Sequence, residues 1–144
     1  MHISPTQEAG RALFMRGIKG PVVMVNLLRF KEIADYSSTP ELAPAEPISG
    51  AEAFRRYVAH TLPHLAAAGG EIVYMGDGGP FLIGPAEERW DLALLVRHPS
   101  IEGFMGFVSN EDYMVGTGHR VAALLDARLL PTIELAEPVR EAGA

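Results

Sequence analysis

The 144-residue chain contains no cysteine. That absence excludes disulfides, thiolate metal sites, iron–sulfur clusters and cysteine nucleophiles. It also lacks a basic run: 12 Lys and Arg stand against 18 Asp and Glu, for a net charge of −6. Such a chain is a poor binder of nucleic acid or of anionic membranes, so neither is expected as a partner. Long apolar runs are missing too. Stretches such as Val22 to Val25 and Leu92 to Val96 fall far short of a bilayer span. Residues Met1 to Gly10 have no basic-then-apolar pattern, so no secretory leader is expected. Together these absences predict a soluble cytoplasmic protein.

What is present is an ordinary globular mixture. Hydrophobic residues make up 48% and charged residues 21%, with six Phe, four Tyr and one Trp. Those proportions argue against disorder, and the length predicts a single domain over residues 1–144. Within it we expect an N-terminal helix over 1–20, a core over 21–133 and a frayed tail over 134–144.

Local patterns divide the core. Ser4 before Pro5 reads as a helix cap followed by proline at the first helical position, with Gly17 and Gly20 ending the helix. Pro21 to Phe30 (PVVMVNLLRF) is apolar and rich in β-branched residues, as a strand covered on both faces should be. Ile33 to Ser49 holds Pro40, Pro44 and Pro47 and reads as a long loop. Ser49 and Glu52 have capping-box spacing, and Phe54, Tyr57, Val58, Thr61, Leu62 and Leu65 form one helical stripe to about Ala68. Pro63 should kink or divide that helix near Thr61. Glu71 to Gly76 is a second strand. Asp77-Gly78-Gly79-Pro80 reads as a turn, and Phe81 to Gly84 as a short strand extension. From Glu88 to Val96 the pattern alternates, with Trp90, Leu92, Leu94 and Val96 on one side. His98-Pro99-Ser100 ends the strand and caps a helix, and Ser109-Asn110-Glu111-Asp112 reads as a fresh cap for a short helix to about Val115. Gly116 and Gly118 are expected to break the chain before one more turn at His119 to Ala123. Leu124 to Ile133 is the last strand.

After the first helix the order is strand, helix, strand, strand, helix, strand. This is the split βαβ, ferredoxin-like pattern, an α+β fold with a four-stranded antiparallel sheet and both long helices on one face. Helices can then cover only one face, although every strand has apolar residues on both. Apolar patches of that size are rare on monomers. A homodimer whose sheets close into a barrel is therefore expected. The competing expectation is that the proline-rich loop and the N-terminal helix cover the second face.

An ordered set of short motifs runs along this frame. It comprises Val22 to Lys31, Ser49-Gly50, Gly69-Gly70, Leu82-Ile83-Gly84-Pro85, Trp90-Asp91 and His98-Pro99-Ser100, and then Asp112-Tyr113, His119-Arg120, Ala122-Ala123-Leu124, Asp126 and Arg128-Leu129-Leu130. The set resembles domain-of-unknown-function family 1330, of the dimeric α/β-barrel superfamily, over about residues 20 to 133. The resemblance implies a ferredoxin-like protomer and a barrel-forming homodimer. It implies no one activity, because the superfamily includes cofactor-independent monooxygenases, haem-dependent enzymes, lactone isomerases and stress-response barrels.

Several residues could carry chemistry. Asn26 is the odd polar residue in an apolar strand, and it would orient a ligand carbonyl or satisfy a nearby loop. His119 is a candidate base and Arg120 can fork onto a carboxylate, with Tyr113 six residues before His119. The stronger reading of the pair is structural, with Arg120 satisfying carbonyls at the helix end and His119 exposed. His60 and His64 have ligand spacing, but Thr61 stands where a zinc-protease motif needs Glu, and no third ligand is evident. A solvated pair is the stronger reading, and no metal is expected. His64 lies beside Tyr57 on the helical wheel, at the edge of any pocket. Asp126 and Arg128 share a strand face and suit a salt bridge at an interface, while Trp90 suits packing. The expected site has Asn26 and His119 as catalytic residues and Asn26, His64, Tyr113, His119 and Arg120 as ligand contacts. It would be a pocket between sheet and helices for a small organic molecule, with no bound cofactor. Proton-transfer or oxygen-insertion chemistry of monooxygenase or isomerase type would fit it. A non-catalytic stress-response or scaffolding dimer is the alternative. Haem held by His64 or His119 is a third reading.

Overall fold

The computed structural model describes residues 1–136, so most of the expected frayed tail lies outside the described residues. Helix α1 runs over Gln7–Met15 and strand β1 over Val22–Phe30. After a short 3-10 turn at Pro40–Leu42 come α2 (Gly50–Ala67), β2 (Glu71–Pro80) and β3 (Arg89–His98). Three short helices follow, α3 (Ile101–Val108), α4 (Glu111–Val115) and α5 (Thr117–Ala123), and β4 (Leu124–Thr132) closes the core. The strands form one antiparallel sheet in the order β2-β3-β1-β4. This is the ferredoxin-like arrangement, with an added N-terminal helix. Its second crossover is three short helices in place of one long one.

Caps set where the helices begin. Ser49 Oγ accepts from the Glu52 amide at 3.0 Å, Ser100 Oγ from Gly103 at 2.9 Å, and Asn110 Oδ1 from Tyr113 at 2.9 Å. Helix α1 departs from expectation. Thr6, not Ser4, supplies its cap, accepting from Ala9 at 3.0 Å, and Pro5 stays outside the helix. Pro63 does not divide α2, which stays one helix of 18 residues. The ring removes a single donor, and the stripe of apolar contacts on either side carries the helix past it.

The glycines of β2 correct a second expectation. Asp77 to Pro80 is strand, with Gly79 opposite Trp90 and Pro80 opposite Arg89, and the chain reverses over residues 81–88. Phe81 to Gly84 accordingly lies outside any strand. A Cβ on Gly78 would lie 2.4 Å from the Trp90 carbonyl oxygen, so this glycine permits close approach and does not mark a turn. Gly118 likewise does not break the chain. It sits inside α5, where a side chain would collide with Thr39 and Leu42 of the proline-rich loop.

Strand alternation sorts the side chains. Val22, Met24, Asn26 and Leu28 oppose His98, Val96, Leu94 and Leu92 on the face that the helices cover. The main core joins Leu28, Leu92, Leu94 and Ala127 to Phe54 of α2 and to Ala122 and Ala123 of α5. Both segments that might have covered the other face pack on this same side. Tyr36, Leu42 and Ile48 of the loop join the main core, while Leu13 and Ile18 pack with Val22, Met24 and Ile101. Val23, Val25, Leu27, Ala93, Leu95 and Leu130 therefore share a sheet face that these elements leave uncovered.

Residues 2–5 lie along the outer edge of β4. The Ala127 amide donates to the His2 carbonyl at 2.7 Å, and the His2 amide to Asp126 Oδ1 at 2.9 Å.

Candidate functional site

Between the covered sheet face and α2–α5 lies a cavity of about 360 Å³. The second crossover, divided into α3, α4 and α5 by the caps at Ser100 and Asn110 and by Gly116, forms its roof together with α2. The walls are mostly apolar: Met24, Leu28, Leu94 and Val96 from the sheet, and Phe54, Leu65, Phe104 and Phe107 from the helices.

The structure brings three of the five expected ligand contacts together here, because Asn26, Tyr113 and Arg120 all line the cavity. Asn26 Nδ2 donates to the carbonyls of Met24 at 3.2 Å and Leu94 at 3.3 Å. Both amide protons thus go to the sheet, which leaves Oδ1 as the group Asn26 can offer. The Tyr113 hydroxyl shares a 2.7 Å hydrogen bond with that of Tyr57, also on the wall. Burial and the neighbouring Tyr57 phenol push the Tyr113 pKa well up, so its hydroxyl stays protonated. Arg120 Nη1 donates to the Ile3 carbonyl at 2.7 Å and ties the N-terminal segment to the cavity, where Ser4 and Pro5 form part of the wall.

His64 and His119 do not line the cavity. His64 stacks on His60 with ring centroids 5.2 Å apart, and His60 Nε2 is 2.8 Å from the Asp112 carbonyl. His119 Nδ1 is 2.8 Å from the Tyr36 hydroxyl, under the proline-rich loop. Burial, with the Arg56 and His60 charges, lowers its pKa and keeps the ring neutral. Among the described residues no cluster of three His, Asp or Glu side chains could hold a metal ion.

Two wall residues escaped the sequence reading. Thr61 is 8% exposed and His98 2% exposed, and neither Thr61 Oγ1 nor His98 Nδ1 has a hydrogen-bond partner among the described residues. The His98 ring packs edge-on against Phe104 with centroids 5.0 Å apart, and burial lowers its pKa, so it is a neutral imidazole. A signal for both was present. Extending the alternation of β3 by two residues points His98 inward with Val96, and Thr61 already sat in the apolar stripe of α2.

The remaining candidates pack. Trp90 is buried, with the Arg128 guanidinium 5.1 Å from its ring centroid. Arg128 Nη1 bonds Asp126 Oδ1 of the same chain at 2.7 Å.

The fold has a close counterpart in the crystal structure of RPA0582, a protein of unknown function from Rhodopseudomonas palustris. The two are 32% identical over 94% of this chain and 98% of that one, with a TM-score of 0.80. The chain belongs to the RPA0582 family. A methylated form of RPA0582 agrees, at 31% identity over 96% and 98% of the two chains and a TM-score of 0.83. A dimeric ferredoxin-like protein of unknown function from Thermobifida fusca matches at 13% identity over 78% of this chain and 89% of that one, with a TM-score of 0.44. No family model and no curated protein matches the chain. Membership of the RPA0582 family thus fixes the fold and leaves the chemistry to the cavity. Among the described residues, no helix is long and apolar enough to cross a membrane.

Proposed function

We propose that this protein is a homodimeric binding module that holds a small organic molecule between its sheet and its helices. One observation carries the reading: a cavity of about 360 Å³ whose wall includes two buried polar atoms, Thr61 Oγ1 and His98 Nδ1, that have no hydrogen-bond partner among the described residues. The volume falls in the range of roughly 300–1,000 Å³ usual for ligand pockets. Packed interiors neither leave such gaps nor leave buried polar atoms unpaired without cause. A purely scaffolding or stress-response dimer needs no cavity. Phe54 and Phe104 stand in its wall and do not fill it, and Met105 is 42% exposed.

Catalysis of monooxygenase or isomerase type, with Asn26 orienting a substrate and His119 as base, has less support. His119 faces Tyr36, off the cavity wall. The same reading includes one domain over residues 1–144, a cytoplasmic location and no bound cofactor. It also includes membership of domain-of-unknown-function family 1330, which the ordered motifs support. The homodimer, with its two sheets closed into a barrel, is supported by the uncovered apolar face, where Leu130 is 62% exposed.

The test is a thermal-shift panel of aromatic acids, quinones and neutral aromatics on the wild type, Asn26→Ala and His119→Ala. Binding raises the midpoint of the wild type by several degrees at saturating ligand, and Asn26→Ala weakens the response while His119→Ala does not. A panel that shifts nothing refutes the reading.

A further inference from the structure

We propose that the molecule taken by the cavity is an apolar monocarboxylate, its carboxylate held by Arg120 and its body lying among Phe54, Phe104 and Phe107. The inference rests on the reading of the cavity as a binding site and names its ligand class.

The charge inventory of the wall points there. Among the described residues Arg120 is its sole charged residue, and no Asp, Glu or Lys lines it. Among the described residues no carboxylate pairs with Arg120. Its one side-chain hydrogen bond there is to the Ile3 carbonyl, through Nη1. A carbonyl satisfies one N–H and neutralises no charge. The remaining donors of a planar guanidinium have the fork geometry that a carboxylate fits.

A second donor stands on the same wall. Tyr57 and Tyr113 carry two hydroxyl protons between them, and their mutual 2.7 Å bond uses one. The other is free for an acceptor in the cavity. A phenol that stays protonated suits an anion and repels none. A cationic ligand would meet a positive charge and no carboxylate, so the wall discriminates against amines.

Volume and length set the body. A cavity of about 150 Å³ holds one benzene ring, so about 360 Å³ takes about two rings with a carboxylate. Arg120 contacts the N-terminal segment, which is tied to β4 at the level of Leu28, while His98 lies at the level of Val22. The positive group and the unpaired His98 Nδ1 therefore stand at different levels of the sheet, and Phe104 and Phe107 pack against the His98 ring at 5.0 and 5.6 Å between centroids. A ligand with one acidic end and an apolar middle matches that order.

Calorimetric titration of the full chain with naphthoate and with its uncharged analogue naphthamide tests this. Naphthoate is expected to bind about 10- to 100-fold more tightly, the range for hydrogen bonds to a charged partner. Arg120→Gln should remove most of the preference for naphthoate over naphthamide, while Arg120→Lys keeps part of it. Equal binding of both ligands to the wild type overturns the acid assignment and leaves the cavity reading standing. Binding of neither, together with a silent panel, removes both. If Arg120→Gln fails to fold, the wild-type ratio and Arg120→Lys still decide the matter.

Discussion

Replacing Thr61 by valine should make this protein more stable. The two side chains have nearly the same shape, so the substitution exchanges a hydroxyl for a methyl at a site that is 8% exposed. Thr61 Oγ1 has no partner among the described residues, although a helical threonine can reach back to the carbonyl a turn earlier. An unsatisfied buried hydroxyl costs about 1–3 kcal/mol in protein interiors. The cavity beside Thr61 admits solvent that recovers part of this, so a gain of about 1 kcal/mol is expected, at the low end of that range. Helix propensity differs little between the two residues and does not change the sign. For a domain of this size the gain is a rise of about 3 °C in the unfolding midpoint. Differential scanning calorimetry, with urea unfolding as a second measure, reads it directly. A midpoint that stays put or falls would show that the hydroxyl is satisfied in the free protein, and the argument that Thr61 waits for a ligand would fail. A gain in stability accompanied by weaker ligand response would mark a residue kept for binding at the expense of the fold.

Other consequences can be measured separately. Leu95→Glu places a charge on the uncovered sheet face, and light scattering should show a dimer for the wild type and a monomer for the variant; a monomeric wild type would remove the barrel. Gly50→Ala should destabilise by about 3 kcal/mol or more in urea unfolding, because its Cβ would lie 2.2 Å from the Lys31 carbonyl oxygen and 2.8 Å from that of Ala123, both rigid backbone. His98 and His119 both have pKa values lowered by burial, so the folded state resists their protonation. The stability they allow is complete above the unfolded value near 6.5 and is lost as pH falls below it. The urea midpoint should accordingly be lower at about pH 5.5 than at about pH 7.5, and His98→Asn should flatten part of that difference.

Much of the fold was legible because local signals and tertiary needs agreed. The hydroxyl and amide caps at Ser49, Ser100 and Asn110 began helices where they stand, and the alternation from Trp90 to Val96 gave both the strand and its inward face. The differences along the chain at Pro5, Pro63, Gly78 and Gly118 share a cause: glycine and proline read locally as punctuation. At Gly78 and Gly118 the small residue serves close contact with a neighbouring backbone or loop, information that sits in the partner segment and not in the local string. The site was half legible. Asn26 is legible as a polar residue in an apolar strand, and Arg120 by a guanidinium that can fork onto a carboxylate. Thr61 and His98 did not, since a threonine in a stripe and a histidine before proline look ordinary until their partners can be counted. His119 drew attention through its chemistry, and only the position of Tyr36 shows where its ring nitrogen is engaged.

The hold of His2 on β4 constrains how copies of this protein can associate. Strand-by-strand growth needs a free margin on the sheet. One margin carries the bound N-terminal segment at Ala127, and the other is β2, with its bulge between Ile72 and Tyr74 and its run of Gly76, Gly78, Gly79 and Pro80. Irregular, glycine- and proline-rich borders make poor templates for an incoming strand. These borders disfavour open-ended filaments and leave the proposed face-on pair as the closed route of association, so concentrated solutions should stay clear and slow to gel.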